Sequence, residues 1–134
     1  MKKVVLMSAL MLFAASAMAE QVLVTQGKGH QCRGDKFDIS QPIEVLYPER
    51  ACELPLADKS GWMAYRFQGP RLQQNGCFGR ALDGSYVIVR EDSVRTTASS
   101  NAYVMAKLSS NGKATVLASP NQDTPHAKAI EMCP

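Results

Sequence analysis

His30 and Cys32 lie near the start of the polar part of this chain, His126 and Cys133 near its end, and Cys52 and Cys77 between them. These six residues have the most capacity for chemistry. The cysteines are separated by 20, 25 and 56 residues, with no Cys-x-x-Cys pair, so the spacing offers neither a zinc knuckle nor a redox dithiol. His30 and Cys32, with His126 and Cys133, would be the alternative set of metal donors. Disulfides are expected instead, with no metal and no cofactor. Four cysteines allow three pairings. Cys133 stands one residue from the C-terminus, and the ends of a domain often lie close together. That favours Cys32–Cys133, which leaves Cys52–Cys77.

Such a bridge would carry His30 towards His126. A histidine pair beside Lys28 or Lys128 has the groups for general base and acid in phosphodiester cleavage, as in small secreted ribonucleases. This is the enzymatic alternative. Histidines in polar loops are ordinary solvent-facing residues, however, and no catalytic residue is assigned. Gly-x-Ser-x-Gly, the serine-hydrolase elbow, is absent. Asp35, Asp38, Glu91 and Asp92 read as turn residues. Gly27-Lys28-Gly29 is too short to cradle a phosphate, and Arg33-Gly34-Asp35 reads as a loop triplet.

Export would make bridges of these thiols. Lys2 and Lys3 precede the apolar run from Val4 to Phe13, and Ala17-Met18-Ala19 has the small-x-small pattern of a cleavage site. Residues 1–19 are therefore expected to be a signal peptide of bacterial type, with Glu20 opening a periplasmic or secreted product. An oxidising compartment favours disulfides. The apolar run is shorter than the roughly 20 residues of a membrane helix, and no later segment is as apolar, so no membrane span is expected after cleavage. Glu20 is not the cysteine that a lipid anchor requires.

The formal charge of the whole chain is +3. Without Lys2 and Lys3, 13 basic and 12 acidic residues remain, a net of +1. That balance gives nucleic acid no general attraction. The distribution is uneven, since Ser60 to Arg90 holds Arg66, Arg71, Arg80 and Arg90 against one acid, Asp83. Such a stretch suits an anionic component of the cell envelope or an acidic partner protein. Trp62, Arg66, Phe78 and Arg80 are the candidate binding residues. The expected function is a small exported binding module, such as an inhibitor or accessory protein. A structural accessory working through an open sheet edge is the remaining alternative.

The elements that must position these residues are mostly strands. Residues 20–134 suit one small domain. Gln21 to Thr25 alternates as a first strand, and Gln26 to Ser40 reads as a loop. Ile43 to Tyr47 is a second strand closed by Pro48, and Trp62 to Phe67 a third, with Trp62 on the face opposite Tyr65 and Phe67. Cys77 to Leu82 and Ser85 to Arg90 flank Asp83-Gly84, a two-residue hairpin turn signal. That register sets Phe78 opposite Val89 and Arg80 opposite Val87, with Gly79 covered by Tyr86 and Ile88. It sends Arg80 and Arg90 to opposite sides. Val94 to Thr97 continues the meander. Tyr103 to Leu108 pairs with Ala114 to Ala118 across Asn111-Gly112, in preference to a helix capped by Ser100. Ser119 to Lys128 begins a polar C-terminal tail. The expected fold is mainly β, an antiparallel sheet or a sandwich- or barrel-like meander stapled by two disulfides.

Overall fold

A computed structural model describes residues 18–134; the expected signal segment lies, through residue 17, outside the described residues. The chain is mainly β. Its strands are β1 (Glu20–Thr25), β2 (Lys36–Asp38), β3 (Glu44–Ala51), β4 (Met63–Gln68), β5 (Gln73–Arg80), β6 (Tyr86–Arg90), β7 (Arg95–Ala98), β8 (Tyr103–Leu108) and β9 (Lys113–Ala118). A 3-10 turn at Ser100–Ala102 joins β7 to β8, and a short helix, α1 (Pro125–Ala129), follows β9. The strands make one antiparallel sheet in the order β2-β9-β8-β1-β3-β4-β5-β6-β7.

Alternation along each strand gives the sheet two cores, one per face. Val22 and Val24 of β1 pack with Val45 and Tyr47 of β3, Val104, Ala106 and Leu108 of β8, Ala114 and Val116 of β9, and Phe37 of β2. On the other face Leu46, Tyr65, Phe78, Tyr86, Ile88 and Tyr103 are buried together, with Leu23, Met63 and Phe67 against them. Among the described residues no helical layer covers these faces, and the sheet buries them by coiling on itself. Tyr86 and Tyr103 measure the coil. Their ring centroids are 5.6 Å apart, yet β6 and β8 stand five places apart in the sheet, roughly 24 Å if it were flat. Strands β8, β1 and β3 to β7 thus curl into an incomplete ring around the second core. No pairing joins β7 to β8, so the ring stays open.

The cysteines pair as expected, Cys32 with Cys133 and Cys52 with Cys77, at Cα separations of 5.6 and 5.3 Å. The first bridge pins the C-terminal segment to the loop before β2, where Gln31 Nε2 also donates to the Met132 carbonyl at 3.4 Å. The second ties the end of β3 to β5 across β4. Ala64 of β4 is the residue paired with Cys77, and its small side chain leaves room for the bridge. Two disulfides fit an oxidising, extracytoplasmic environment.

The β5–β6 hairpin corrects the sequence reading by one residue. Ala81 and Ser85 still bond (N to O, 2.9 Å), and Gly84 N reaches the Ala81 carbonyl at 3.0 Å with φ +83°. This is a three-residue loop, Leu82-Asp83-Gly84, in which the glycine takes the left-handed position of a bulge. Phe78 consequently pairs with Ile88, Arg80 with Tyr86 and Gly76 with Arg90. Tyr86 and Ile88 move to the Phe78 face, and Arg80 and Arg90 share one face rather than pointing apart. Gly79 is covered from the other side by Trp62, whose ring lies 3.5–3.6 Å from where a Cβ would stand.

Other differences are local. β3 passes through Pro48 and ends at Ala51 because the β3–β4 register shifts between Tyr47 and Ala51, the kind of irregularity that accepts a proline. The expected loop Gln26 to Ser40 contains β2, recruited by pairing with β9. The expected tail contains α1, started by Thr124, whose hydroxyl accepts from Ala127 N at 3.2 Å, with Pro125 in the first turn. The Tyr103–Ala118 hairpin is present as expected.

Candidate functional site

The interior of the ring has two chemically different ends. At one end Glu44 pairs with Phe67 of β4, which pairs in turn with Gln74 of β5. Tyr65 Oη donates to one Glu44 oxygen at 2.6 Å, and Tyr103 Oη to the other at 3.4 Å. Burial, reinforced by the neighbouring carboxylate, pushes both phenols well above the usual tyrosine range. They therefore remain donors and brace the ring. Gly76 makes this packing possible, because a Cβ there would stand 2.7 Å from the Tyr65 ring. Arg90 lies over Phe67 at 5.5 Å and meets Asp92 at 3.3 Å. Charges at this end are already partnered.

At the opposite end they are not. Arg80 is the last residue of β5 before the hairpin loop. Its guanidinium stands 5.7 Å from the centroid of Tyr86, and among the described residues it makes no ion pair. The side chain is exposed, whereas the Phe78 and Tyr86 beside it are buried and meet edge to face at 5.6 Å. Leu23, Met63, Phe78, Tyr86 and Met105 join Arg80 around an open cleft of about 400 Å³. That volume lies towards the lower end of the 300–1,000 Å³ usual for small-ligand sites, which favour barrel mouths and apolar walls with a few polar groups.

A second, shallower groove of about 240 Å³ lies on the outer face of the same strands, lined by Trp62, Gly79, Val87 and Arg95. Gly61, Gly79 and Arg80 border both. The four candidate binding residues are thus divided by the sheet. Phe78 and Arg80 belong to the inner cleft. Trp62 belongs to the outer groove, and Arg66, also exposed, lies along the same outer face, where it donates to Gln73 at 3.0 Å.

Tyr86, Met63, Met105 and Leu23 also line this cleft and are not among the four candidate binding residues. A three-residue reading of Leu82-Asp83-Gly84 would have put Tyr86 beside Phe78 and Arg80. Leu23 and Met105 are paired in neighbouring strands, β1 and β8, far from the hairpin in sequence, and only the coiling of the sheet brings them to it.

The histidines occupy unlike settings. His30 is buried with its ring 5.3 Å from Phe37 and above Gly27. His126 is exposed on α1. Neither lines the inner cleft or the outer groove. Among the described residues no three His, Cys, Asp or Glu side chains gather as a metal site would require. A third cleft, at the β2–β9 edge, includes Asp38 and Lys113, which already pair at 3.1 Å.

Fold and bridges together define a small disulfide-linked all-β domain. In comparison with known proteins, no family model, curated protein or solved structure matches the chain.

Proposed function

We propose that this protein is an exported binding module that acts in the periplasm or outside the cell, and that its contact surface is the rim around Arg80. The observation that carries this reading is a guanidinium that makes no ion pair among the described residues and stands at an apolar opening. A charge held beside Phe78 and Tyr86 is poised to bond an anionic group while the surrounding carbon surface supplies contact area. The partner class is an anionic envelope component or an acidic protein surface.

Two alternatives have less support. A ribonuclease-like hydrolase would use two histidines converging on a substrate; here one is packed against Phe37 and the other faces solvent. An assembly role through an exposed edge would rely on β2 or β7, which offer three and four residues, a short ladder for strand addition.

The test is capture of envelope components by the mature protein, with Arg80→Ala and Arg66→Ala compared with His126→Ala. Arg80→Ala is expected to weaken capture most and to reduce its dependence on salt. Arg66→Ala reports on the outer face, and His126→Ala should match the unaltered protein. A hydrolytic activity lost with His126 but untouched by Arg80→Ala would replace this reading with the enzymatic one.

A further inference from the structure

We infer that the inner cleft receives a soluble small amphiphile, an acidic head joined to one apolar tail, with the head at Arg80 and the tail among Met63, Phe78 and Met105. This rests on the reading of Arg80 as a binding residue and adds the class of ligand. The lining argues for the tail. Met63 and Met105 enter from strands on opposite sides of the ring, and methionine is the side chain that best adapts to an irregular apolar guest. Met105 is 36 % exposed and Leu23 is only partly covered, so the apolar wall reaches solvent. Phe78 and Tyr86 form a rigid floor, locked edge to face.

Charge argues for the acidic head. Arg80 is the cation at this opening, and among the described residues no carboxylate pairs with it. The cleft's other polar side chains are Gln21 and the Tyr86 hydroxyl, which are neutral. A carboxylate and a phosphate would both suit a guanidinium. The concavity, about 400 Å³, favours a free molecule over a flat bilayer surface.

Isothermal titration of the mature protein with decanoate, decyl phosphate and decanol tests this, with anionic phospholipid vesicles as a separate arm. The expected result is saturable 1:1 binding of one or both acids, with decanol weaker by roughly tenfold, the loss of one charge-assisted contact. Arg80→Gln, an exposed change that leaves the core intact, should bring the acid down to the affinity of decanol. Met105→Trp, which fills the cleft from its partly exposed edge, should abolish binding of both. Equal affinity for acid and alcohol in the unaltered protein would overturn the proposal, as would undiminished binding in Met105→Trp or binding to vesicles alone. Capture of an envelope partner that needs Arg80 but survives Met105→Trp would leave the binding-module reading standing and remove the amphiphile.

Discussion

Removing the two disulfides separately should cost stability in the order opposite to their loop lengths. Chain entropy alone ranks Cys32–Cys133 first. Its sequence separation is 101, against 25 for Cys52–Cys77, which corresponds to about 4.7 and 3.5 kcal/mol respectively. That ranking assumes that the native state is unchanged once the bridge is gone. For Cys52–Cys77 the assumption is sound, since Cys77 is 0 % and Cys52 5 % exposed and β3 and β5 remain clamped by β4. For Cys32–Cys133 it fails. The segment after β9 inserts few buried side chains, with Ala127 the one buried residue of α1, and the Arg33–Asp123 pair is exposed and long at 3.8 Å, so it adds little. Once released, that segment can fray while the ring stays folded, and the entropy recovered in the native state offsets part of the loss. The variant Cys52→Ala/Cys77→Ala should therefore lose about 3–5 kcal/mol, and Cys32→Ala/Cys133→Ala about 1–2 kcal/mol. Denaturant melts of both, with hydrogen exchange by mass spectrometry, provide the assay. Exchange in the second variant should rise in residues 119–134 and around Gln31 while β3 to β6 remain protected. A loss of 4.7 kcal/mol or more with the C-terminal segment still protected would refute this reasoning.

Two glycines should fail for different reasons. Gly76→Ala puts a Cβ 2.6 Å from the Val89 carbonyl oxygen and 2.7 Å from the Tyr65 ring, so denaturant melts should show about 1–3 kcal/mol of overpacking cost. At Gly84 a Cβ meets no atom within 4 Å, but Gly84→Val must hold φ near +83°; a comparable loss of about 1–3 kcal/mol is expected from backbone strain, and an unchanged midpoint would contradict the turn. Asp38 accepts from Ser40 N and Oγ and from Lys113 Nζ, which lowers its carboxyl from 3.8 to about 2. Because the folded value is the lower one, its contribution is present above pH 3.8 and lost as pH falls to about 2. Asp38→Asn should flatten that part of the pH–stability profile. N-terminal sequencing of protein from the exported fraction should begin at Glu20, and retention of Met1 would remove the export reading.

Much of the fold was legible because strand signals are local. Val22 and Val24 alternate with polar neighbours, Asn111-Gly112 marks a turn, and the terminal position of Cys133 favoured the nested pairing; each is contained in a few adjacent residues or in the ends of the chain. The site was less legible. At Leu82-Asp83-Gly84 two turn types fit the same residues, and they differ by one residue in register, which decides whether Tyr86 and Ile88 together face Phe78 or the opposite side of the sheet. Of the four residues named from sequence, Phe78 and Arg80 share the inner face, whereas the alternation of β4 and β5 puts Trp62 and Arg66 on the outer one.

What residues 20–134 determine by themselves is the inventory: apolar positions two apart, turn residues that stop each strand, cysteines positioned to join, and an arginine beside a phenylalanine at the end of β5. Tertiary structure decided what those pieces enclose. The curl of the sheet brings Tyr86 within 5.6 Å of Tyr103 and sets Leu23 and Met105 opposite Phe78 around one opening. No short segment specifies that curl. It comes from twist accumulated over successive strands and from the need to bury apolar groups on both faces of a sheet over which the described residues lay no second layer.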